Sequence, residues 1–190
     1  TLEALRDQAR GDEHDPFFLC ASYTHPHDPF TITQKRWDLY DHDAIDMPAV
    51  GAQEIDTMHS YNQWWQIHHM VDVYPPSDEA IRNARHAFYG MVSYFDHQVG
   101  VLVNELDRLG LRENTLVVVT SDHGEMLGEH GMWFKRTFFD PSVRVPLIFS
   151  GGGIEAGTRV EETVSLVDLF PTFLEMSGLP DWQEVTAELA

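Results

Sequence analysis

Asp122 and His123 are adjacent and stand directly after the β-branched run Thr115-Leu116-Val117-Val118-Val119-Thr120. A carboxylate and an imidazole at a strand end can reach one cation if the backbone turns there, and Gly124 permits the turn. The same residues suit a helix N-cap, with Ser121 or Asp122 capping and His123 exposed; spacing leaves both readings open. Lys135 follows in a segment with Trp133 and Phe134 that would hold its stem against apolar surface. A lysine there is either ordinary surface or a point charge for a phosphate or sulfate oxygen. The cluster Thr24-His25-Pro26-His27-Asp28-Pro29 exits a second apolar run. Its prolines stiffen the backbone, so His27 is a candidate general acid or anion ligand; the alternative is a turn with two exposed histidines. Cys20 lies inside that apolar run and reads as a buried, inert thiol.

The elements that must position these groups follow from periodicity. Phe17-Phe18-Leu19-Cys20-Ala21 is expected to be a short buried strand, residues 115–120 a central buried strand, and residues 145–150 a third. From residue 79 to 109, Ala80, Ala84, Ala87, Phe88, Met91, Phe95, Val99, Leu102, Val103 and Leu106 recur at threes and fours, which predicts one long amphipathic helix closed by Gly110. A further helix is predicted over 166–176, closed by Gly178. Between the first run and the long helix, residues 25–78 carry no sustained period and read as a long loop excursion, the kind that serves as a lid or faces substrate. Alternation of apolar runs with helical segments gives an α/β fold with a largely parallel sheet. In such sheets ligands bind beyond the carboxyl ends of the strands, where Asp122, His123 and His27 all fall.

Composition narrows the partners. The 190 residues hold 31 acidic against 12 basic side chains, a net charge of −19 that repels nucleic acid and anionic membrane surfaces. One cysteine excludes an internal disulfide framework and a thiolate zinc cage, so a metal would be held by carboxylate, imidazole or water; it also fits a reducing, cytoplasmic compartment. No apolar stretch is long enough to span a bilayer, and residues 1–10 read as a polar helix end. The chain begins with Thr1, so it is expected to be a piece of a longer protein.

An ordered series of motifs carries a family resemblance. Val117-Val118-Val119-Thr120-Ser121-Asp122-His123-Gly124-Glu125 is followed by Leu127-Gly128-Glu129-His130-Gly131, Lys135-Arg136, and Val143-Arg144-Val145-Pro146-Leu147-Ile148. Together these resemble the C-terminal half of the sulfatase core in the alkaline phosphatase superfamily, an α/β/α sandwich. Residues 24–30 and Tyr89-Gly90-Met91-Val92-Ser93-Tyr94-Phe95-Asp96 are similar to the choline sulfatase branch, and the segment with Asp168, Pro171 and Thr172 looks like the helix that follows in sulfatases.

The resemblance implies that residues 1–190 are part of one sulfatase catalytic domain. Asp122 and His123 would ligate a divalent cation, calcium first, with magnesium or manganese as alternatives. Lys135 would contact the sulfate oxygens. His27 would contact the sulfate and help protonate the leaving alcohol. The nucleophile in the family is a formylglycine made from a Cys/Ser-x-Pro-x-Arg motif, which these 190 residues do not contain. The chain alone is therefore expected to be inactive, and the parent protein to hydrolyse a small-molecule sulfate ester, choline sulfate first. A phosphonate monoester or phosphodiester hydrolase on the same fold, and a non-catalytic metal-binding remnant, are the rival readings. Assembly into homo-oligomers is left open. The tryptophans of the excursion, Trp37, Trp64 and Trp65, offer faces for choline's ammonium but are expected to pack under their own loop.

Overall fold

A computed structural model describes residues 1–10 and 16–189. The chain divides into two units, residues 1–154 and 155–190. The first is organised on a single long helix, α4 (Asp78–Arg108). Its start is fixed by Ser77, whose hydroxyl accepts from Ala80 N at 3.2 Å, with Asp78 and Glu79 in the first turn where carboxylates oppose the helix dipole. Its end is fixed by Gly110 at φ 71°, in the left-handed region that glycine enters without a Cβ clash. Of the predicted periodic positions Ala87, Met91 and Leu106 are buried and Ala80 is exposed, and the polar Arg85, His86 and Glu105 are buried beside them.

Two short helices lie against α4. α1 (Leu2–Arg10) packs through Leu5 and is tied by Arg6 Nε to Glu105 Oε1 at 2.6 Å. α2 (Gln34–Trp37) approaches so closely that a Cβ on Gly90 would meet the Ile32 side chain at 3.1 Å and the Arg36 carbonyl at 3.2 Å. The excursion of residues 25–78 is thus not structureless. It holds α2, 3₁₀ turns at His42–Ala44 and Ile55–Thr57, and α3 (Ser60–His68). Trp65 of α3 joins Met126, Met132 and Phe139 in an apolar cluster. The flexible methionine chains fill space that rigid side chains would leave void.

Among the described residues the sheet has two strands, β1 (Val117–Thr120) and β2 (Leu147–Ser150), paired antiparallel with Val117 opposite Ser150 and Thr120 opposite Leu147. The expectation of a largely parallel sheet does not hold for this pair. A parallel neighbour needs a crossover, ordinarily a helix, and residues 121–146 form an irregular loop whose helical pieces are a 3₁₀ turn at Glu129–Gly131 and the one-turn α5 (Asp140–Val143), so the chain doubles back. β2 starts at Leu147 and not at 145, since Pro146 has no N–H for a ladder. The strand expected at 17–21 is not formed. An extended run becomes a strand only when a neighbour takes its N–H and C=O groups, and no third strand lies among the described residues. Phe17, Phe18 and Leu19 are exposed, and so is Cys20, correcting its reading as buried. β1 is likewise half-buried and not central, having one strand neighbour.

The second unit carries a 3₁₀ turn at Leu166–Asp168 running into α6 (Leu169–Met176), then α7 (Trp182–Leu189). The Asp168 carboxylate accepts from Ser165 N at 2.9 Å, which starts the helix, and Gly178 at φ 69° closes α6 as predicted. No helix among the described residues is long and apolar enough to cross a membrane.

Candidate active site

The exit of β1 makes no helix cap. No helix begins there, and the local polar groups serve one another: Ser121 Oγ donates to the His123 carbonyl at 2.8 Å and His123 N donates to Asp122 Oδ1 at 3.1 Å. Gly124 is needed for a reason other than a left-handed turn. A Cβ at that position would lie 2.0 Å from the Pro141 carbonyl oxygen, because Gly124 N and Glu125 N donate to Ser142 and Pro141 carbonyls at 2.8 Å each. The strand exit is thereby stitched to α5.

His123 Nδ1 lies 2.8 Å from the Gly124 carbonyl. A carbonyl only accepts, so Nδ1 carries a proton, and in the neutral ring the lone pair is then on Nε2. Nε2 is 3.7 Å from Asp122 Oδ2, and the Asp122 side chain is 86% exposed. A carboxylate oxygen and an imidazole nitrogen therefore sit side by side, and with the ring neutral the pair fits two ligands of a shared divalent cation, the ring oriented by the Gly124 carbonyl. Among the described residues no group of three or more His, Cys, Asp or Glu side chains gathers in metal-binding geometry, so these two would form part of a coordination shell.

His27 comes to the same place from the other side of the sequence. Its ring centroid is 6.2 Å from that of His123, and its Nε2 is hydrogen-bonded by Lys135 Nζ, a contact between residues 108 apart. Its Nδ1 is 2.9 Å from the Asp28 carbonyl and 3.0 Å from Asp28 Oδ1. The same carbonyl argument places a proton on Nδ1 and leaves Nε2 facing the lysine. The structure thus brings His27, Asp122, His123 and Lys135 together. His25 instead packs on Tyr94 at 5.0 Å.

Lys135 is held by an unusual backbone. Its neighbours Phe134 and Arg136 have φ of 64° and 72°, and Leu127 and His130 earlier in the loop have 47° and 55°. Side chains with a Cβ avoid this region, and such residues persist where surrounding structure over-determines them. Here the loop is closed by Met126 N to Phe134 O at 2.8 Å and Gly128 N to Met132 O at 2.9 Å, and Phe134 stacks on Phe30 at 6.2 Å. Arg136 lies over the Trp65 ring at 4.8 Å.

Two acidic residues beside the site, Asp28 and Glu125, lie inside the motifs, though the sequence alone assigns them no role. Asp28 orients His27. Glu125 has its Oε1 buried without a hydrogen-bond partner among the described residues. Burial pushes the Glu125 carboxyl above the usual carboxylate range, against the pull of the Leu127 and Phe134 backbone N–H groups; Asp28 adds to the rise and Lys135 opposes it. A motif reading could have flagged Glu125 only through its place next to Gly124. The excursion tryptophans mostly pack as expected. Trp37 stacks on His86 at 3.7 Å and Trp65 is buried, while Trp64 is 56% exposed.

The profile of the family described as Sulfatase matches residues 1–179. The chain belongs to the sulfatase family. Within it, the chain is 38% identical over 178 residues to a choline-sulfatase of Rhizobium meliloti (strain 1021), covering 94% of this chain and 35% of that protein. It is 34% identical over 214 residues to iduronate 2-sulfatase of Mus musculus, covering 94% of this chain and 38% of that protein. Among solved structures, the phosphonate monoester hydrolase of Silicibacter pomeroyi superposes with a TM-score of 0.72 at 29% identity over 80% of this chain and 32% of that one. This sulfatase chain has the α/β fold of that superfamily, and it spans little more than a third of the length of the curated relatives it matches.

Proposed function

We propose that this chain supplies the cation-binding and oxyanion-contacting part of a sulfuric ester hydrolase. The observation that carries the reading is the contact of Lys135 with His27 beside the Asp122–His123 pair, four groups from two distant stretches of chain on one spot. Lys135 places a positive charge where a sulfuryl oxygen gathers negative charge in the transition state. His27 would act in its imidazolium form: with a proton taken up from solvent on Nε2 in place of the Lys135 hydrogen bond, it gives that proton to the departing alkoxide and returns to the neutral ring, and Asp28 Oδ1 at 3.0 Å from Nδ1 supports the ring while it is charged. Asp122 and His123 would hold the divalent cation, which when bound acts as a Lewis acid on the ester oxygen. The nucleophile, a formylglycine in this reading, comes from a part of the polypeptide outside these 190 residues, which lack Cys/Ser-x-Pro-x-Arg.

Choline sulfate is the first substrate in this reading, on the strength of the 38% identity to a choline-sulfatase. No side chain here is assigned to the choline cation. A second reading, hydrolysis of phosphonate monoesters, is favoured by the superposition on the Silicibacter pomeroyi enzyme. The protein that contains this chain is to be assayed for kcat/KM on choline sulfate, an aryl sulfate and an aryl phosphonate monoester. Higher kcat/KM on a sulfate ester supports the first reading. Preference for the phosphonate transfers the same residues to the second, and no turnover of any of them refutes both.

A further inference from the structure

We propose that Arg85 is a positioning residue for the reaction, acting through Lys135: its buried guanidinium fixes the loop that presents the lysine. The inference rests on the reading that Lys135 meets the oxyanion of the ester. Arg85 lies on α4, is 8% exposed, and reaches two separate segments. Nη2 pairs with the Asp46 carboxylate, whose other oxygen accepts from the Tyr89 hydroxyl one turn further along α4. Nη1 donates to the Leu127 carbonyl at 3.1 Å and lies 3.7 Å from Glu129 Oε1. Glu129 in turn accepts from Ala49 N and Val50 N at 3.0 Å each.

Leu127 is where this matters. Its φ of 47° and that of Gly128, 89°, start the loop that Met126 N to Phe134 O closes, and Lys135 is the next residue. The donor that satisfies the Leu127 carbonyl thus holds a strained turn at one end of the loop, with the lysine at the other. A fork is required for two branches to face opposite ways, towards Asp46 and towards Leu127 and Glu129, which an ammonium on a flexible stem does not reproduce. Burying a guanidinium is costly unless it is paired, and here one arm pairs with Asp46 while the other is met by the Leu127 carbonyl and Glu129 of the site loop.

The test is a double-mutant cycle in the intact protein with Arg85→Gln, Lys135→Ala and both, read as kcat and KM on the ester turned over and as the dissociation constant of inorganic sulfate. Arg85→Gln is expected to lower kcat about 10- to 100-fold. In the Lys135→Ala background the same change is expected to cost less than about threefold, because its route is already gone. Equal losses in both backgrounds overturn the inference and leave Arg85 as a fold residue. If Arg85→Gln does not fold, Arg85→Lys takes its place; a folded Arg85→Lys with wild-type kcat also overturns it. If no ester is turned over, the functional reading fails while sulfate affinity still decides: coupled losses uphold the positioning role, and additive losses, or no sulfate binding by the wild type, overturn it.

Discussion

Gly124→Ala is a perturbation of one methyl group at the hinge between the proposed cation ligands and the loop behind them. The new Cβ would stand 2.0 Å from the Pro141 oxygen, 3.0 Å from Pro141 C and 3.2 Å from the Arg144 oxygen, where real Cβ contacts stop near 3.0 Å. Backbone must therefore move by about 1 Å, which costs about 1–3 kcal/mol as overpacking. The displacement also stretches the two 2.8 Å bonds from Gly124 N and Glu125 N, each worth about 1 kcal/mol net. The sum is about 3–5 kcal/mol, a large share of a typical folding free energy of about 5–15 kcal/mol. Because Asp122 and His123 lie just before the hinge, affinity for the divalent cation should fall about 10- to 100-fold as well. Denaturant titration and calcium calorimetry on the intact protein read both effects. Gly100→Ala is the control: nothing lies within 4 Å of its Cβ and it is inside α4, so it should stabilise by about 0.5–1 kcal/mol. A Gly124→Ala protein within about 1 kcal/mol of wild type, with unchanged cation affinity, would refute the claim that close backbone approach dictates glycine there.

Lys135→Ala should lower kcat/KM about 10²- to 10³-fold while leaving bound metal in place, since the lysine is not among the proposed ligands; steady-state kinetics beside metal analysis checks it. Glu105 is held well below the usual carboxylate range, at about 2, by hydrogen bonds from Arg108 and then Arg6, which outweigh the opposing effect of burial. A carboxylate depressed in the folded state contributes stability above its ordinary value of 4.5 that is lost as pH falls through about 2. Thermal melts should therefore show Glu105→Gln least stable relative to wild type at neutral pH, with the difference closing towards pH 2. A difference that is constant with pH would contradict it.

The parts of this protein that were legible in the sequence are those set by near neighbours. The spacing from Ala80 to Leu106 is a local pattern, and α4 follows it, with Gly110 taking the left-handed φ of 71° that ends the helix. The strand exit at Asp122 and His123 was legible because β-branched residues and a glycine bracket it, and the convergence of His27 with Lys135 because the motifs resembled a known family. The failures concern partners distant in the chain. Residues 17–21 have the composition of a strand, but no third strand stands beside them among the described residues, so Cys20 is exposed and not buried. The α/β fold expected from the alternation stands, and the antiparallel sense of the one pair β1–β2 follows from residues 121–146 lacking a crossover helix. The clamp of Arg85 on Asp46 and Leu127, and of Glu129 on Ala49 and Val50, joins positions about 40 and 80 apart that no period marks.

The central claim, that Asp122 and His123 hold a divalent cation beside the His27–Lys135 pair, is tested most directly by metal analysis. The intact protein, dialysed against metal-free buffer, is analysed by mass spectrometry beside its Asp122→Ala and His123→Ala variants. Retention of a divalent cation by the wild type and its loss from both variants is the predicted result, and the same analysis identifies calcium, magnesium or manganese. Wild-type metal content in both variants would contradict the account.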